Sequence, residues 1–547
     1  MKKIFFYALG LMCALSAQAA TINHAYDGSK TAEQNGTALQ ASINAADSGS
    51  VVNVQAGTYV GNFIMKKGVN VIGGWNAEFT DTTSYATILD ANANGRVVKQ
   101  PAAFDVLTIW ENLTIQNGKF TSQQTDKAGS GVFLCDKGQV KHCLIQNNLF
   151  DAQSGEASGG GVYENGYTTS VLVDDCIIRD NTASHGGGVR ICGVIQNSTI
   201  ENNTTTINAC GGVQLHYGGA MYNCIVRNNN GKDTGGVRCT GAKGCVVANC
   251  LIINNQATGT IGGMSLETTD TPSSYHEIYN NTIVGNTQKS ASNKGRCGVR
   301  VNIGGPMKFF NNVVWGNSAN GDQTNQVEII ESYQNQGGNF ANNALVFNQV
   351  LTGSNNISFS GTDNIFYDKD TNPGFVDASN ANYSLLWTSS LVNAGNDSKI
   401  TRSTDLKGNA RKAGDHVDIG AYELPYYTLT IAAFDNATLT VGGQTKTAGD
   451  YSLPKGYTAT ATIATDEGYS VKSVVCGGET LVAVGDDYTL PALSANTTLT
   501  ITIEEESHTA IDEINQSQRQ CQKLIKNGQL IIIRDGKTYN AMGQKLR

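Results

Sequence analysis

The sequence predicts an all-β protein whose body is a right-handed parallel β-helix. Three observations carry this. Eight six-residue segments align: Leu113–Gly118, Cys143–Asn148, Cys176–Asn181, Ser198–Asn203, Cys224–Asn229, Cys250–Asn255, Asn281–Asn286 and Asn312–Asn317. They recur at steps of 22 to 33 residues. A unit that short cannot bury a core alone and must stack on its neighbours. A glycine followed by an apolar residue precedes seven of them, at Gly131-Val132, Gly161-Val162, Gly188-Val189, Gly212-Val213, Gly236-Val237, Gly263-Met264 and Gly298-Val299. The composition agrees: 62 glycines, 7 prolines and 15% charged residues in 547, where a typical soluble chain is about 25% charged. That is not a helical composition. A hydrophobic content of 40% at a net charge of −8 excludes a disordered chain. It also excludes a broad basic surface, so no nucleic-acid partner is expected.

Taken in order, residues 1–20 read as an export signal. Lys2 and Lys3 precede the apolar run Ile4–Leu15, and Ala17-Gln18-Ala19 supplies small residues for cleavage. Gly10-Leu11-Met12 lacks the small residues that directly precede a lipidated cysteine, so Cys13 is not read as a lipid anchor. No later run of 18 apolar residues suggests a transmembrane segment. A secreted or cell-surface protein is expected. Residues 21–50 form a cap, with a short amphipathic helix at Leu39–Ala46, because the first rung of a solenoid otherwise exposes its core.

The β-helix is expected over 51–424. Rungs open at Val51–Val54, Val69–Ile72 and Thr87–Leu89, pass through the eight segments, and weaken through Val327–Ile330 to Ile357. The third position of the eight segments is Ile115, Ile145, Ile178, Ile200, Val226, Ile252, Ile283 and Val314, all β-branched and suited to strands. The last position is Asn in seven of eight. The position before each segment is Asn112, His142, Asp175, Asn197, Asn223, Asn249, Asn280 and Asn311. Asn tolerates the left-handed backbone of a tight corner. Stacked at about 4.8 Å, such columns make ladders of Ile on Ile inside and Asn on Asn at corners. Cys143, Cys176, Cys224 and Cys250 share one column and read as a stack of buried thiols, with inter-rung disulfides as the alternative.

The stretches Val54-Gln55-Ala56-Gly57-Thr58-Tyr59 and Gly68-Val69-Asn70-Val71-Ile72-Gly73-Gly74-Trp75 resemble the opening of secreted bacterial right-handed β-helix proteins. Asn372-Pro373-Gly374-Phe375-Val376-Asp377, Asp405-Leu406-Lys407-Gly408-Asn409-Ala410-Arg411 and Val417-Asp418-Ile419-Gly420-Ala421-Tyr422-Glu423 are similar to the closing region of the "choice-of-anchor Q" surface proteins. The Gly-Gly-Val and Asn rungs resemble polymorphic outer-membrane-protein repeats. These resemblances imply an exported β-helix and no settled activity. Residues 425–505 alternate, as in Tyr427–Ile431, Ala459–Ile463 and Leu499–Ile503, and read as a small β-sandwich-like module. It resembles the repeat modules of bacterial surface proteins. Residues 506–547 read as a linker and a C-terminal tail that resembles Bacteroidetes-type sorting tails, a route to outer-surface attachment.

Alternation sends the residue after each Val or Met outward: Phe133, Tyr163, Arg190, Gln214, Arg238, Ser265 and Arg300. Two residues on, the same face carries Cys135, Asn165, Cys192, His216, Thr240, Glu267 and Asn302. Tyr163, Arg190, Gln214, His216, Arg238, Glu267 and Arg300 are the candidate ligand-binding residues. A flat face of this kind suits a polysaccharide or cell-surface glycan, with guanidinium groups gripping uronate or sulfate. The first expectation is an adhesin-like binder without catalysis. The alternatives are a polysaccharide lyase or glycoside hydrolase using Arg190, His216, Arg238 and Glu267, and a purely structural fibre. For an inverting hydrolase two acids about 6.5–9.5 Å apart are needed, and only Glu267 offers one on this face. Asp174-Asp175 and His185-Gly186 resemble elements of polygalacturonase-like hydrolases, whose other elements are missing. A His142–Asp175 pair replacing two corner Asn residues is the simpler account. Seven scattered His and no Cys-x-x-Cys give no metal site, and no cofactor is expected.

Overall fold

The computed structural model describes residues 19–121, 128–151, 158–166, 169–267, 276–290, 296–302, 307–319, 327–331, 338–341, 343–346, 350–351, 363–368, 370–400, 402–506, 521–534 and 536–546. Residues 1–18 of the expected export signal, Cys13 among them, and the rung expected at Ile357 lie outside them. The chain divides into two compact units, Met1–Pro425 and Tyr426–Arg547.

The first unit is a right-handed parallel β-helix with four parallel sheets, here A to D. Sheet A runs from Thr21–His24 to Gly338–Ala341, sheet B from Gly57–Val60 to Ile365–Tyr367, and sheet C from Phe63–Ile64 to Val350–Leu351. Sheet D is narrow and runs from Lys119–Thr121 to Ser318–Ala319. One rung visits A, B, D and C in turn, as in Gly138–Lys141, Leu144–Gln146, Leu149–Asp151 and Val162–Glu164. Sheet D was not expected, because strands of two or three residues leave no periodicity to read.

The capping helix is Ala32–Ala45, longer than the amphipathic run predicts. Thr31 starts it early. Its hydroxyl accepts the Gln34 N–H while the Gln34 side chain accepts the Thr31 N–H. Leu39 and Ile43 then cover the first rungs of the core.

The ladders form as the columns predict. Leu89, Ile115, Ile145, Ile178, Ile200, Val226, Ile252, Ile283 and Val314 are register partners, each on the next, and all are fully buried. The corner column Asn112 to Asn311 is left-handed at every rung, with φ from 47° at His142 to 57° at Asn280. The last-position column is different. Asn148, Asn181, Asn203, Asn229, Asn255, Asn286 and Asn317 are buried and turn their amides inward, and the left-handed residue is the one before each, such as Asn147, Asp180 or Asn228. From Asn181 on, each amide oxygen accepts both the backbone N–H and the Nδ2–H of the Asn one rung earlier, while Asn148 accepts the Gly118 N–H. For Asn203 on Asn229 these bonds are 2.9 and 3.0 Å. Asn229 Nδ2 donates in turn to Asn255 Oδ1 and to the Ile200 carbonyl, at 2.9 Å each. Asn229→Ala removes an acceptor and two donors from a dry stack. It is expected to lower stability by about 3–5 kcal/mol, since an orphaned buried group costs about 1–3 kcal/mol. Urea unfolding checks this, and a loss under about 1 kcal/mol would show that the amides are dispensable.

Cys143, Cys176, Cys224 and Cys250 are buried and free, each thiol donating to a carbonyl two residues back at 3.1–3.2 Å. Their column continues as a second amide ladder through Asn281, Asn312 and Asn343.

The closing region does not simply end the solenoid. Residues 370–424 fold back along the outer face of sheet B. Phe375, Tyr383, Leu391, Ile419 and Tyr422 pack on Leu251, Ile253, Val284, Val313 and Ala344. This explains why outward positions of late sheet-B strands are apolar. The fold-back reaches far: Asn249 Nδ2 donates to the Thr404 carbonyl and Ala421 N–H to Thr282 Oγ1. Arg411, Asp405, Asp418 and Glu423 are buried inside it.

In the second unit, Tyr426–Glu505 forms two five-stranded sheets around Leu429, Ile431, Leu439, Ile463, Val474 and Leu499. The tail forms three antiparallel strands, Cys521–Lys526, Gln529–Arg534 and Lys537–Asn540.

Candidate functional site

Sheet C builds the site. Val132, Val162, Val189, Val213, Val237, Met264 and Val299 are partners in register and fully buried, so the following residue must face out. The outward row is continuous. Tyr163 pairs with Arg190, Arg190 with Gln214, Gln214 with Arg238, Arg238 with Ser265 and Ser265 with Arg300.

The row is not the flat open face that alternation suggests. Phe133, Gln214 and Ser265 are buried, as are Cys135 and Cys192. Phe133 disappears because Arg96 lies over its ring at 4.6 Å and Tyr163 packs beside it. Gln214 stands in register between Arg190 and Arg238, and Ser265 between Arg238 and Arg300. Gln214 and Ser265 are therefore poor ligand contacts, which corrects the expectation for Gln214.

Most charges in the row neutralise one another. Arg238 Nη2 bonds Glu267 Oε2 at 2.7 Å, and Arg300 Nη1 lies 3.4 Å from Glu267 Oε1. The Ser265 hydroxyl donates to the same carboxylate at 2.7 Å. Burial opposes ionisation of Glu267, but Arg238, Ser265 and Arg300 outweigh it and hold the carboxyl below its ordinary range. Asp233 lies 3.9 Å from Arg238 Nη1, so two carboxylates flank one guanidinium. Sequence reasoning missed Asp233, because it stands in the turn before the strand and not in the alternating column.

His216 sits in the middle. Arg190 Nε donates to its Nε2 at 3.1 Å, and its Nδ1 lies 3.0 Å from Thr240 Oγ1. Burial, then Arg190, Arg238 and His185, push its pKa down to about 3. The ring is neutral at any ordinary pH, and its one lone pair is occupied by Arg190.

Arg190 differs from its neighbours. It donates to His216 Nε2 and to Ser158 Oγ and lies 5.8 Å from the Tyr163 ring. Among the described residues no carboxylate is within ion-pair distance of it. It lines a cleft of 130 Å³ with Tyr163, Asn165, His216 and Tyr217. Glu164 also reaches this cleft, but its Oε2 accepts the N–H groups of Cys192 and Gly193 at 2.8 and 2.6 Å. Neither Tyr217 nor Glu164 was foreseen. Tyr217 follows the strand, and Glu164 occupies an inward parity.

The polygalacturonase-like elements do not converge. Asp175 and His142 bond at 2.8 Å on the A–B corner, with Ser84 and Tyr85 against the ring. Asp174 accepts from Asn197 at 2.8 Å, while His185 bridges to Ser158 near sheet C. His142–Asp175 and Asp174–Asn197 are corner pairs at the Asn column, and His185 is not among them.

A larger trough, 580 Å³, lies on sheet A between Gln139, Leu172, Val194, Gln196, Tyr222 and Arg402. Its floor is aliphatic. Lys137 and Arg402 both line it, and Arg402 is engaged within it, lying 3.9 Å over Tyr222 and donating to Gln196 at 3.1 Å. It offers a ligand less than the Arg190 cleft does.

Fold and row together define a β-solenoid protein with a polar, cation-bearing strip along one sheet. No protein-family model and no curated protein matches the chain. Among solved structures it is similar to the tailspike protein gp49 of Acinetobacter baumannii bacteriophage Fri1, a capsular polysaccharide depolymerase, at 13% identity and TM-score 0.28 over 87% of this chain and 84% of that one. It is also similar to the PL6 family polysaccharide lyase Pedsa3628 from Pseudopedobacter saltans, at 13% identity and TM-score 0.31 over 73% of this chain and 99% of that one. Among the described residues no helix is long and apolar enough to cross a membrane.

Proposed function

We propose that the outer face of sheet C engages an extended acidic polysaccharide outside the cell, with Arg190 as the anchor. The observation that carries this reading is a guanidinium with no carboxylate at ion-pair distance among the described residues, at the lip of the Tyr163–Tyr217 cleft, in a row where the other arginines are spent on Glu267. A carboxylate or sulfate entering the cleft meets planar donors, and the tyrosine rings beside it suit a sugar face. From Tyr163 to Arg300 the row spans five rung steps, about 24 Å at the spacing of parallel strands, a length that suits a polymer.

Binding without cleavage fits the proton inventory. His216 has no free lone pair, and Glu267 is held ionised between two arginines. Cleavage is the second reading, favoured by one observation: Asp233 and Glu267 stand on either side of Arg238. The likeness of the closing region to choice-of-anchor Q proteins and of the tail to sorting tails belongs to the same proposal of display at the cell surface.

A panel of acidic and neutral polysaccharides tests this by calorimetry together with release of reducing ends and unsaturated uronate. Acidic polymers are expected to bind, and Arg190→Ala to weaken binding at least about tenfold, the equivalent of 1.4 kcal/mol. Because His216 stays neutral, affinity is expected to be flat from about pH 5 to 8. Product release would put cleavage first. Failure to bind any polymer would leave an inert fibre.

A further inference from the structure

We propose that Cys239, Cys245 and His276 bind one soft d10 metal ion, Zn2+ or Cu+, inside the solenoid. The three are buried, and one ligand atom from each lies within 4.8 Å of the others. An ion bonded to sulfur at about 2.3 Å and to nitrogen at about 2.0–2.1 Å needs only a small contraction of this triangle. Two thiolates and an imidazole are a soft donor set that disfavours Mg2+ and Ca2+.

The fold delivers these residues from three places. Cys239 is the inward residue of Val237–Thr240 and replaces a leucine in the column between Leu215 and Leu266. Cys245 stands just before Val246–Ala248, where sheet A begins again. His276 takes the same register position one rung on, since Val246 pairs with Glu277. The ligands thus join two rungs beneath the Thr240–Gly244 turn.

A purely structural account leaves one fact unexplained. His276 is 1% exposed, its Nδ1 accepts the Cys245 N–H at 3.0 Å, and its Nε2 has no hydrogen-bond partner among the described residues. A histidine placed only for packing would be hydrogen-bonded at both nitrogens or replaced by an apolar residue.

Binding displaces the thiol protons to solvent and forms two metal–sulfur bonds and one metal–nitrogen bond, with no change of oxidation state; the ring hydrogen passes from Nε2 to Nδ1 as Nε2 takes the metal, and Nδ1 gives up the Cys245 N–H. The ion also braces the candidate site. Thr240, next to Cys239, holds His216. The metal site stands or falls independently of glycan binding.

The test uses the full chain, purified under reducing conditions and loaded separately with Zn2+ and with Cu+. Elemental analysis and native mass spectrometry are expected to find one ion per chain, and competition with chelators selective for each metal assigns its identity. Cobalt substitution is expected to give thiolate-to-metal charge-transfer absorption. His276→Gln and Cys245→Ser are expected to weaken affinity by more than the roughly 100-fold that an outer-shell partner is worth. Cys176→Ser, in the thiol column outside the cluster, is expected to retain the ion. Because Cys245→Ser also disturbs the core, circular dichroism accompanies each variant, and folded His276→Gln protein that still holds the ion as tightly as the parent would overturn the proposal. So would a folded parent that takes up neither metal, or a Cys239–Cys245 disulfide in the protein as isolated from its natural compartment, seen as the loss of two hydrogens in intact mass.

Discussion

Gly212→Val is expected to unfold the middle of the solenoid. The glycine column was legible as a repeat, but its reason is steric and lies between rungs. A Cβ on Gly212 would sit 2.4 Å from the Gly236 carbonyl oxygen, 2.8 Å from Val226 Cγ1 and 3.1 Å from Asn229 Nδ2. None of these can yield cheaply. The Gly236 carbonyl accepts the Val213 N–H at 2.9 Å, Val226 belongs to the aliphatic ladder, and Asn229 is fixed in the amide ladder. Overpacking alone costs about 1–3 kcal/mol, and broken ladder bonds add to it. The expected loss exceeds about 4 kcal/mol, the range reserved for a named steric or polar failure. Limited proteolysis should then cut within 186–240 while Tyr426–Glu505 resists, since stability along a solenoid is shared mainly between neighbours. A variant that melts with the parent would refute the steric account. Gly188 and Gly236 face the same three kinds of neighbour, so the expectation extends to them.

Arg411→Met should release the fold-back segment, and the loss should grow with pH. The guanidinium is 1% exposed. Its Nη2 donates to the carbonyls of Asp418 and Gly420 at 2.9 and 2.8 Å, and its Nη1 lies 3.4 Å from Glu423. Asp405 and Asp418 are buried beside it, their carboxylates capping backbone N–H groups. Removing the one cation leaves three buried carboxyls, and breaking a buried pair in this way costs about 3–5 kcal/mol. Burial, then the neighbouring Asp418, raises Glu423 to about 8, and burial raises Asp418 to about 6. Both are carboxyls whose folded pKa exceeds the unfolded one. The folded chain therefore binds more protons between about pH 4 and 8. Stability from this cluster is complete below that window and is lost as pH rises through it. The variant should be closest to the parent near pH 5 and furthest from it above pH 8. Melting temperatures across that range, with Glu423→Gln flattening the slope, check the sign. A loss that did not depend on pH would point to packing alone.

The two clusters differ in how much of them could be read beforehand. Arg190, Arg238, Glu267 and Arg300 were placed on one face because period-two alternation and rung stacking repeat at every turn. His216 followed by the same parity. Their partners were not readable. Ser158 precedes its strand and Asp233 lies in a turn, and whether Arg238 would meet one carboxylate or two depended on how the loops close. Cys239, Cys245 and His276 were passed over as scattered, since their meeting requires the register between Val246 and Glu277. The Arg411 cluster was visible only as part of a resembling motif.

Sequence alone determined the rungs. A β-branched residue, a left-handed corner and a small residue before each strand recur in order, and each constrains the backbone within a few residues of itself. Stacking then multiplies one local solution along an axis. Tertiary structure decided what that repetition does not contain: the path of residues 370–424 back over sheet B, the burial of Gln214 and Ser265 in a nominally outward row, and the pairing that spends every arginine there but Arg190. Those outcomes depend on contacts between residues tens to more than a hundred positions apart, where the relative placement of unequal loops, and not local backbone preference, sets which side chains meet.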